Sequence, residues 1–345
     1  MTYLEKISKQ GYYIIAEIGV NYYEISEKEH LSLLDAAKMM ITAAAENGAD
    51  AVKFQTYIAD RFVSPLYAKD MYEAVQKYER FGESEYKELS AFSVQKGVDF
   101  FSTPFDTISV DYLSPLTGMF KIASADITNI PLIEEISQRD KPILLSVGAA
   151  EKAEIDQAIA IITKYNTHTI TLLHCVLEYP TPYEDANLER IRTLKKLYPH
   201  AIIGYSDHTI ADQTMQVLLS AYITGAQVIE KHFTLDKTIL ENDHSHSMDA
   251  RDLRTLKEKL GFVSKLMGCG DIGCLEHEKT VQEVARRAAY AAEDIFKGDI
   301  LTEDMIVMKR PYKNGLSYTD VVSLFGKAAN RDVLQDEQLH HIDFS

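Results

Sequence analysis

The chain has 345 residues, more than the ~250 that one α/β barrel takes, so a large core with a small appendage is expected. Its 46% hydrophobic and 26% charged residues exclude a disordered polypeptide. The formal net charge of −16 disfavours generic binding to nucleic acid or to an anionic membrane surface.

Met1–Gln10 is polar and has no apolar signal core, and no apolar run approaches the ~18 residues of a membrane span. The chain therefore reads as cytoplasmic. Eight short runs rich in β-branched residues follow: Tyr13–Ile18, Ala51–Thr56, Phe100–Thr103, Met119–Ala123, Pro142–Ser146, Ile170–His174, Ala201–Tyr205 and Val228–His232. Amphipathic stretches lie between them, among them Leu31–Asn47, Glu83–Gln95, Ala153–Lys164, Leu188–Leu197 and Ile210–Thr224. Strand alternating with helix predicts parallel strands joined by right-handed crossovers, and eight such units predict a closed (β/α)8 TIM barrel. A doubly wound sheet is the rival, but no G-x-G-x-x-G turn follows any strand. The aromatic stretch Tyr67–Phe81 is expected either as a lid or as a packed excursion on the rim.

A helix, Leu253–Leu266, is predicted to close a barrel domain spanning 1–266. Residues 267–280 read as a linker, with Gly268, Gly270 and Gly273. Residues 281–345 read as a small separate module. The three cysteines form no disulfide framework, and Cys269 and Cys274 in MGCGDIGC fit a plain linker better than a metal clip.

In a TIM barrel the chemistry sits at the C-terminal strand ends. Those ends carry Glu17 and Asn21; Lys53, Gln55 and Thr56; Ser102, Thr103 and Asp106; Lys121, Ser124 and Asp126; Ser146; His174; Ser206, Asp207 and His208; and Glu230, Lys231 and His232. Polar groups in strand patterns are costly unless paired or used. His208 and His232 end adjacent strands ~4.8 Å apart, so two imidazoles can share one divalent ion. Lys53 and Lys121, with Thr103, Ser124 and Ser206, fit a cradle for phosphate and carboxylate; structural ion pairs with Glu17 or Glu230 are the alternative. His244 and His246 in NDHSHSMD read as a solvated loop over the barrel mouth.

The ordered motifs IIAEIGVN (Ile14–Asn21), ADAVKFQT (Ala49–Thr56), FFSTPFD (Phe100–Asp106), FKIASADITN (Phe120–Asn129), LLHCVLEYPTPYEDANL (Leu172–Leu188), IIGYSDHT (Ile202–Thr209) and VIEKHFTLDK (Val228–Lys237) resemble those of the sialic acid synthase (N-acetylneuraminate synthase) family and its legionaminic and pseudaminic relatives. LTEDMIVMKRP (Leu301–Pro311) and LFGKAANRD (Leu324–Asp332) resemble that family's antifreeze-like (SAF, β-clip) domain. The resemblance spans essentially the whole chain.

It implies condensation of phosphoenolpyruvate (PEP) with a six-carbon amino-sugar aldehyde to a nine-carbon 2-keto acid and phosphate. It implies a divalent ion on His208 and His232, Mn2+ first, with Mg2+ and Co2+ as alternatives. Glu17 would support positive charge at PEP C2; Lys53, Thr103, Lys121, Ser124 and Ser206 would hold PEP. Gln55, Asp126, Tyr179 and Glu230 would lie on the substrate side of the pocket. A domain-swapped homodimer would bring Arg310 to the sugar. The chain departs from the family pattern at Asn21-Tyr22-Tyr23-Glu24, where N-H-x-G is usual, and at Leu177, where Asn or Thr is usual. Asp126 stands for a glutamate, and DHSHSMD also differs. These positions bear on which sugar is accepted. A metal-dependent sugar isomerase or aldolase on the same barrel is the competing activity; it would not need both lysines.

Overall fold

In the computed structural model, which describes residues 2–345, eight parallel strands succeed one another along the chain. They are β1 (Tyr13–Gly19), β2 (Ala51–Thr56), β3 (Asp99–Pro104), β4 (Phe120–Ile122), β5 (Ile143–Ser146), β6 (Thr171–His174), β7 (Ile202–Asp207) and β8 (Val228–His232). All eight predicted strands are present. Their hydrogen-bonded order is β3-β2-β1-β8-β7-β6-β5-β4. β3 and β4 pack together as closely as β4 and β5 do, which closes the sheet into a TIM barrel.

The helices are α1 (Tyr3–Gln10), α2 (Tyr22–Glu29), α3 (Leu33–Glu46), α4 (Ala59–Phe62), α5 (Lys69–Tyr78), α6 (Glu83–Lys96), α7 (Thr107–Leu113), α8 (Ile130–Ser137), α9 (Lys152–Tyr165), α10 (Glu189–Leu197), α11 (Gln216–Thr224) and α12 (Ala250–Met267). The start predicted at Ile210 moves to Gln216. The Asp212 carboxylate accepts hydrogen bonds from the backbone N–H groups of Thr214 and Gln216, which holds the intervening residues in a turn. The aromatic stretch after β2 forms α5, none of whose residues is buried; Tyr78 donates from its hydroxyl to Glu24 at 2.8 Å.

Side chains alternate across a strand, so every second residue enters the barrel. Tyr13, Ile15, Ala51, Phe101, Met119, Leu144, Leu173 and Val228 form one interior cluster, and Tyr3 and Ile7 of α1 join it. α1 thus plugs the N-terminal end; the Tyr3 hydroxyl meets Thr171 Oγ1 at 2.5 Å. Continuing the same alternation toward the C-terminal ends gives Glu17, Lys53, Thr103, Lys121, Ser146, Ser206 and Glu230, which line a cavity. An apolar floor therefore carries a polar upper layer on the same strands.

Gly204 of β7 is set by this packing. A Cβ there would stand 2.3 Å from Leu173 Cδ2 and 2.7 Å from the Val228 carbonyl oxygen. The backbone contact cannot yield without shifting β8. Gly204→Ala is therefore expected to lower unfolding stability by about 1–3 kcal/mol in urea titrations; an unchanged midpoint would contradict the packing argument.

The chain divides after Gly268; Cys269–Ser345 forms a second compact unit. It holds α13 (Lys279–Ala285), the antiparallel pair β9 (Ala288–Ala291) and β10 (Ile306–Lys309), and α14 (Tyr318–Val322). Isolated bridges such as Ile295 with Val333 and Ala329 with Phe344 fold it over a separate core that includes Leu301, Leu316, Val321, Leu324 and Leu339. Among the described residues, no helix is long and apolar enough to cross a membrane.

Candidate active site

Strand register brings the polar residues of the upper layer together. Glu17 of β1 is level with Lys53 of β2 on one side and with His232 of β8 on the other. Gln55 is level with Thr103, and Ser206 with Glu230. The cavity they enclose measures about 130 Å³ and is also lined by Ser124, Ser146, Cys175, Leu177, Tyr179, His208 and His232. That is small beside the roughly 300–1,000 Å³ of drug-sized sites and suits a compact anion. A larger cavity, about 510 Å³, opens beside α1 at the opposite, N-terminal end. It has no comparable set of convergent catalytic groups, and barrel chemistry sits at the other end.

Four buried charges alternate around the cavity. Lys53 Nζ lies 2.7 Å from Glu17 and 3.8 Å from Glu230, and Lys121 Nζ lies 3.5 Å from Glu230. Lys53 also donates to Thr103 Oγ1 at 3.0 Å, and Ser206 Oγ donates to Glu230 at 2.8 Å. The lysines are ion-paired, and they also line the cavity. The pairing leaves much unsatisfied. Lys53 takes up one Glu17 oxygen, but Glu17 Oε1, Glu230 Oε2 and Ser146 Oγ are without a hydrogen bond. Buried polar atoms without partners are rare and mark a place for a polar ligand.

Burial raises the Glu17 carboxyl to about 7, against the pull of Lys53. Burial acts the same way on Glu230, but Lys121 and Lys53 outweigh it and hold Glu230 below its ordinary value. The two carboxyls thus share the site unequally, Glu17 being the more readily protonated of the pair. Burial lowers Lys121, with Lys53 adding to the effect; for Lys53 the opposing carboxylates Glu17 and Glu230 prevail and raise it. Because the Glu17 value is raised, its stabilising effect is fully present below 4.5 and is lost as pH rises through about 7.

Next to this cage stands a group of histidines. His208 Nδ1 lies 2.7 Å from the Val176 carbonyl, which fixes that nitrogen as the donor and leaves Nε2 with its lone pair. The His208 and His232 rings are 5.7 Å apart, and Tyr179 lies 4.1 Å from the His208 ring. Burial lowers His208 to about 4 and holds His232 well below its ordinary range, so both stay neutral, as metal ligation requires.

The tightest set of donors is His232, Asp243 and His246, with ligand atoms within 4.8 Å of one another. His232 Nδ1 and His246 Nε2 are buried without a hydrogen-bond partner. Two orphan imidazole nitrogens facing a carboxylate fit a divalent ion. The loop carrying Asp243 and His246 is not solvated, as its sequence suggested. His244 and His246 are both buried, because Met248 pairs with His232 and Thr234, and Thr234 Oγ1 meets His244 Nδ1 at 2.6 Å.

Of the other predicted site residues, Gln55, Ser124 and Tyr179 line the cavity, but Asp126 does not; its Oδ1 accepts from Asn129 at 3.0 Å. Arg310 is exposed in the C-terminal unit, directly after β10. Asp243 escaped sequence reasoning. The signal that could have found it was a carboxylate three residues before His246 in the loop after β8.

A TIM barrel with two lysines, two carboxylates and clustered imidazoles at its strand ends has the makings of an active site, with a possible metal site beside it. The NeuB family model matches residues 40–271, and the SAF domain model matches residues 286–344. The N,N'-diacetyllegionaminic acid synthase of Campylobacter jejuni is 37% identical over 94% of this chain and 97% of its own length. The N-acetylneuraminate-9-phosphate synthase of Homo sapiens is 30% identical over 95% of this chain and 91% of its own. The crystal structure of N-acetylneuraminic acid (sialic acid) synthetase from Leptospira borgpetersenii in complex with citrate superposes with a TM-score of 0.70 at 35% identity, over 78% of this chain and 90% of that one. The chain belongs to the NeuB family of sialic acid synthase-type enzymes and carries a C-terminal SAF domain.

Proposed function

We propose that this enzyme condenses PEP with the open-chain aldehyde of a six-carbon amino sugar, forming a nine-carbon 2-keto acid and releasing phosphate. The observation that carries this reading is the closed cage of Lys53, Lys121, Glu17 and Glu230, with unpartnered oxygens, directly beside neutral imidazoles.

In this reading Lys53 and Lys121, with Thr103, Ser124 and Ser206, hold the phosphate and carboxylate of PEP. PEP C3 attacks the aldehyde carbon, and positive charge develops at C2. The Glu17 carboxylate, paired with Lys53, supports that charge electrostatically. Water adds at C2, and the C–O bond to phosphate breaks. His208 and His232, with Asp243, would hold the divalent ion, for which Mn2+ is proposed ahead of Mg2+ or Co2+. When bound there, the ion supplies Lewis acidity toward an aldehyde oxygen. Gln55, Tyr179 and Glu230 border the sugar. Asp126, held by Asn129, would act at its outer edge, and Arg310 of a second subunit's SAF domain would reach the sugar in a homodimer.

The acceptor is proposed to be a diamino-dideoxy hexose rather than N-acetylmannosamine. Removing the three PEP carbons from the N,N'-diacetyllegionaminic acid named in the Campylobacter relative leaves a six-carbon sugar with two acetamido groups. The outer wall here is apolar, with Phe105, Ala123, Ala125 and half-exposed Leu177. Such a wall favours deoxy carbons and disfavours unpaired hydroxyls. Leu177→Asn is expected to raise the acceptor KM about tenfold and leave the PEP KM within about twofold; steady-state kinetics with each substrate varied in turn distinguish this from a general loss.

The reading as a whole is tested by phosphate release from PEP with Mn2+ and a panel of amino sugars. Release that requires both sugar and ion is expected; no release with any sugar would contradict the synthase reading. An acidic limb near pH 7 in the profile of kcat/KM is also expected, because Glu17 must be ionised to support the charge at C2. A profile flat from pH 6 to 8 would remove Glu17 from that role.

A further inference from the structure

The loop after β8 brings an extra imidazole to the ion site. His246 is almost fully buried, and its ring lies 5.1 Å from that of His232 at 75°. His232 Nδ1 is 3.4 Å from one Asp243 oxygen, and His246 Nε2 is 3.5 Å from the other. These separations are long for hydrogen bonds. They are short enough for the donors to share one ion at the ~2.1 Å usual for imidazole and carboxylate ligands. The loop is fixed rather than free. Met248 N donates to the His232 carbonyl at 2.8 Å, Ser247 Oγ donates to the Asp243 carbonyl at 2.6 Å, and Asn242 Nδ2 donates to Glu24 at 2.8 Å. A packed histidine that served only to fill space would hydrogen-bond its buried Nε2; this one has no such partner.

We propose that His246 is a third imidazole ligand of the ion, completing a His–Asp–His face with His232 and Asp243 and biasing the site toward later first-row ions over Mn2+ and Mg2+. This rests on His232 being a metal ligand. Each added imidazole strengthens binding of Co2+ and Zn2+ more than that of Mn2+, in the order general for nitrogen donors. The site would then discriminate among ions by ligand chemistry, and Mn2+ would bind by availability.

The test is equilibrium titration of the metal-free protein with Co2+, Zn2+ and Mn2+, comparing wild type with His246→Ala and His246→Gln. Co2+ and Zn2+ affinities should fall about tenfold or more, with the Mn2+ affinity changing less than about threefold. The visible Co2+ spectrum should change with them. Unchanged Co2+ affinity and spectrum, or an equal loss for Co2+ and Mn2+, would overturn the assignment. If the variants do not fold, imidazole 15N resonances of the Zn2+-loaded wild type decide it. A coordination shift at His246 Nε2 supports the ligand, and an unshifted resonance overturns it. Neither PEP nor sugar enters these titrations, so failure of the synthase reading and failure of the His246 assignment register separately.

Discussion

Replacing His232 by alanine is expected to lower kcat/KM for phosphate release from PEP by about 10³-fold or more, with the fold retained. His232 is the residue common to both groupings of imidazoles, beside His208 at 5.7 Å between rings and beside His246 at 5.1 Å. Lewis acidity contributes several kcal/mol to reactions of this kind, and each 1.36 kcal/mol is tenfold in rate. The ring is neutral and buried, and its Nδ1, 3.4 Å from Asp243, has no hydrogen-bond partner, so its removal breaks no hydrogen bond at that atom. Circular dichroism of the variant should match wild type, while its affinity for divalent ions should fall. Retained turnover with the ion affinity lost would show that the ion takes no part in the reaction.

Lys53→Met is expected to fail in two ways at once. Lys53 is the cation between Glu17 and Glu230, at 2.7 Å and 3.8 Å, and all three are buried. Removing one partner of a buried ion pair costs about 3–5 kcal/mol, because the remaining charge is left uncompensated. Urea unfolding at pH 8 should show this loss. At lower pH the loss should shrink, since Glu17, whose carboxyl already sits near 7, takes up a proton when its cation is gone. Turnover should fall by about 10³-fold, because the cradle for phosphate and carboxylate loses half its positive charge. A variant as stable as wild type at pH 8 would contradict the buried four-charge cage.

The barrel and the cage are legible in the sequence for the same reason. A strand that enters a barrel alternates, and Tyr13-x-Ile15-x-Glu17 or Ala51-x-Lys53-x-Gln55 shows an apolar residue giving way to a polar one at the C-terminal end. Parallel register then makes the strand ends meet, so Glu17, Lys53, Thr103, Ser206 and Glu230 fall together without knowledge of any loop. Helix α1 was less legible. It is short and polar, and only Tyr3 and Ile7 reveal its plugging role, which needs the barrel already closed.

The loop after β8 was illegible for a different reason. Asp243, His244 and His246 occupy a polar stretch whose burial depends on hydrogen bonds to β8 and α2, through Met248, Thr234 and Glu24. Local sequence carries no trace of these partners, so the histidines read as solvated. Asp126 is partly legible: in the folded chain one oxygen accepts from Asn129 three residues on, a local bond the sequence does not announce, and its other oxygen is left unpartnered.

The most direct measurement uses PEP labelled with ¹⁸O in the bridge between C2 and phosphorus, incubated with enzyme, Mn2+ and a diacetamido-dideoxy hexose, and read by mass spectrometry. A 2-keto acid three carbons longer than the acceptor is expected, with all of the bridging label in inorganic phosphate. Label retained in the keto acid, or phosphate released without any lengthened product, would contradict the synthase reading.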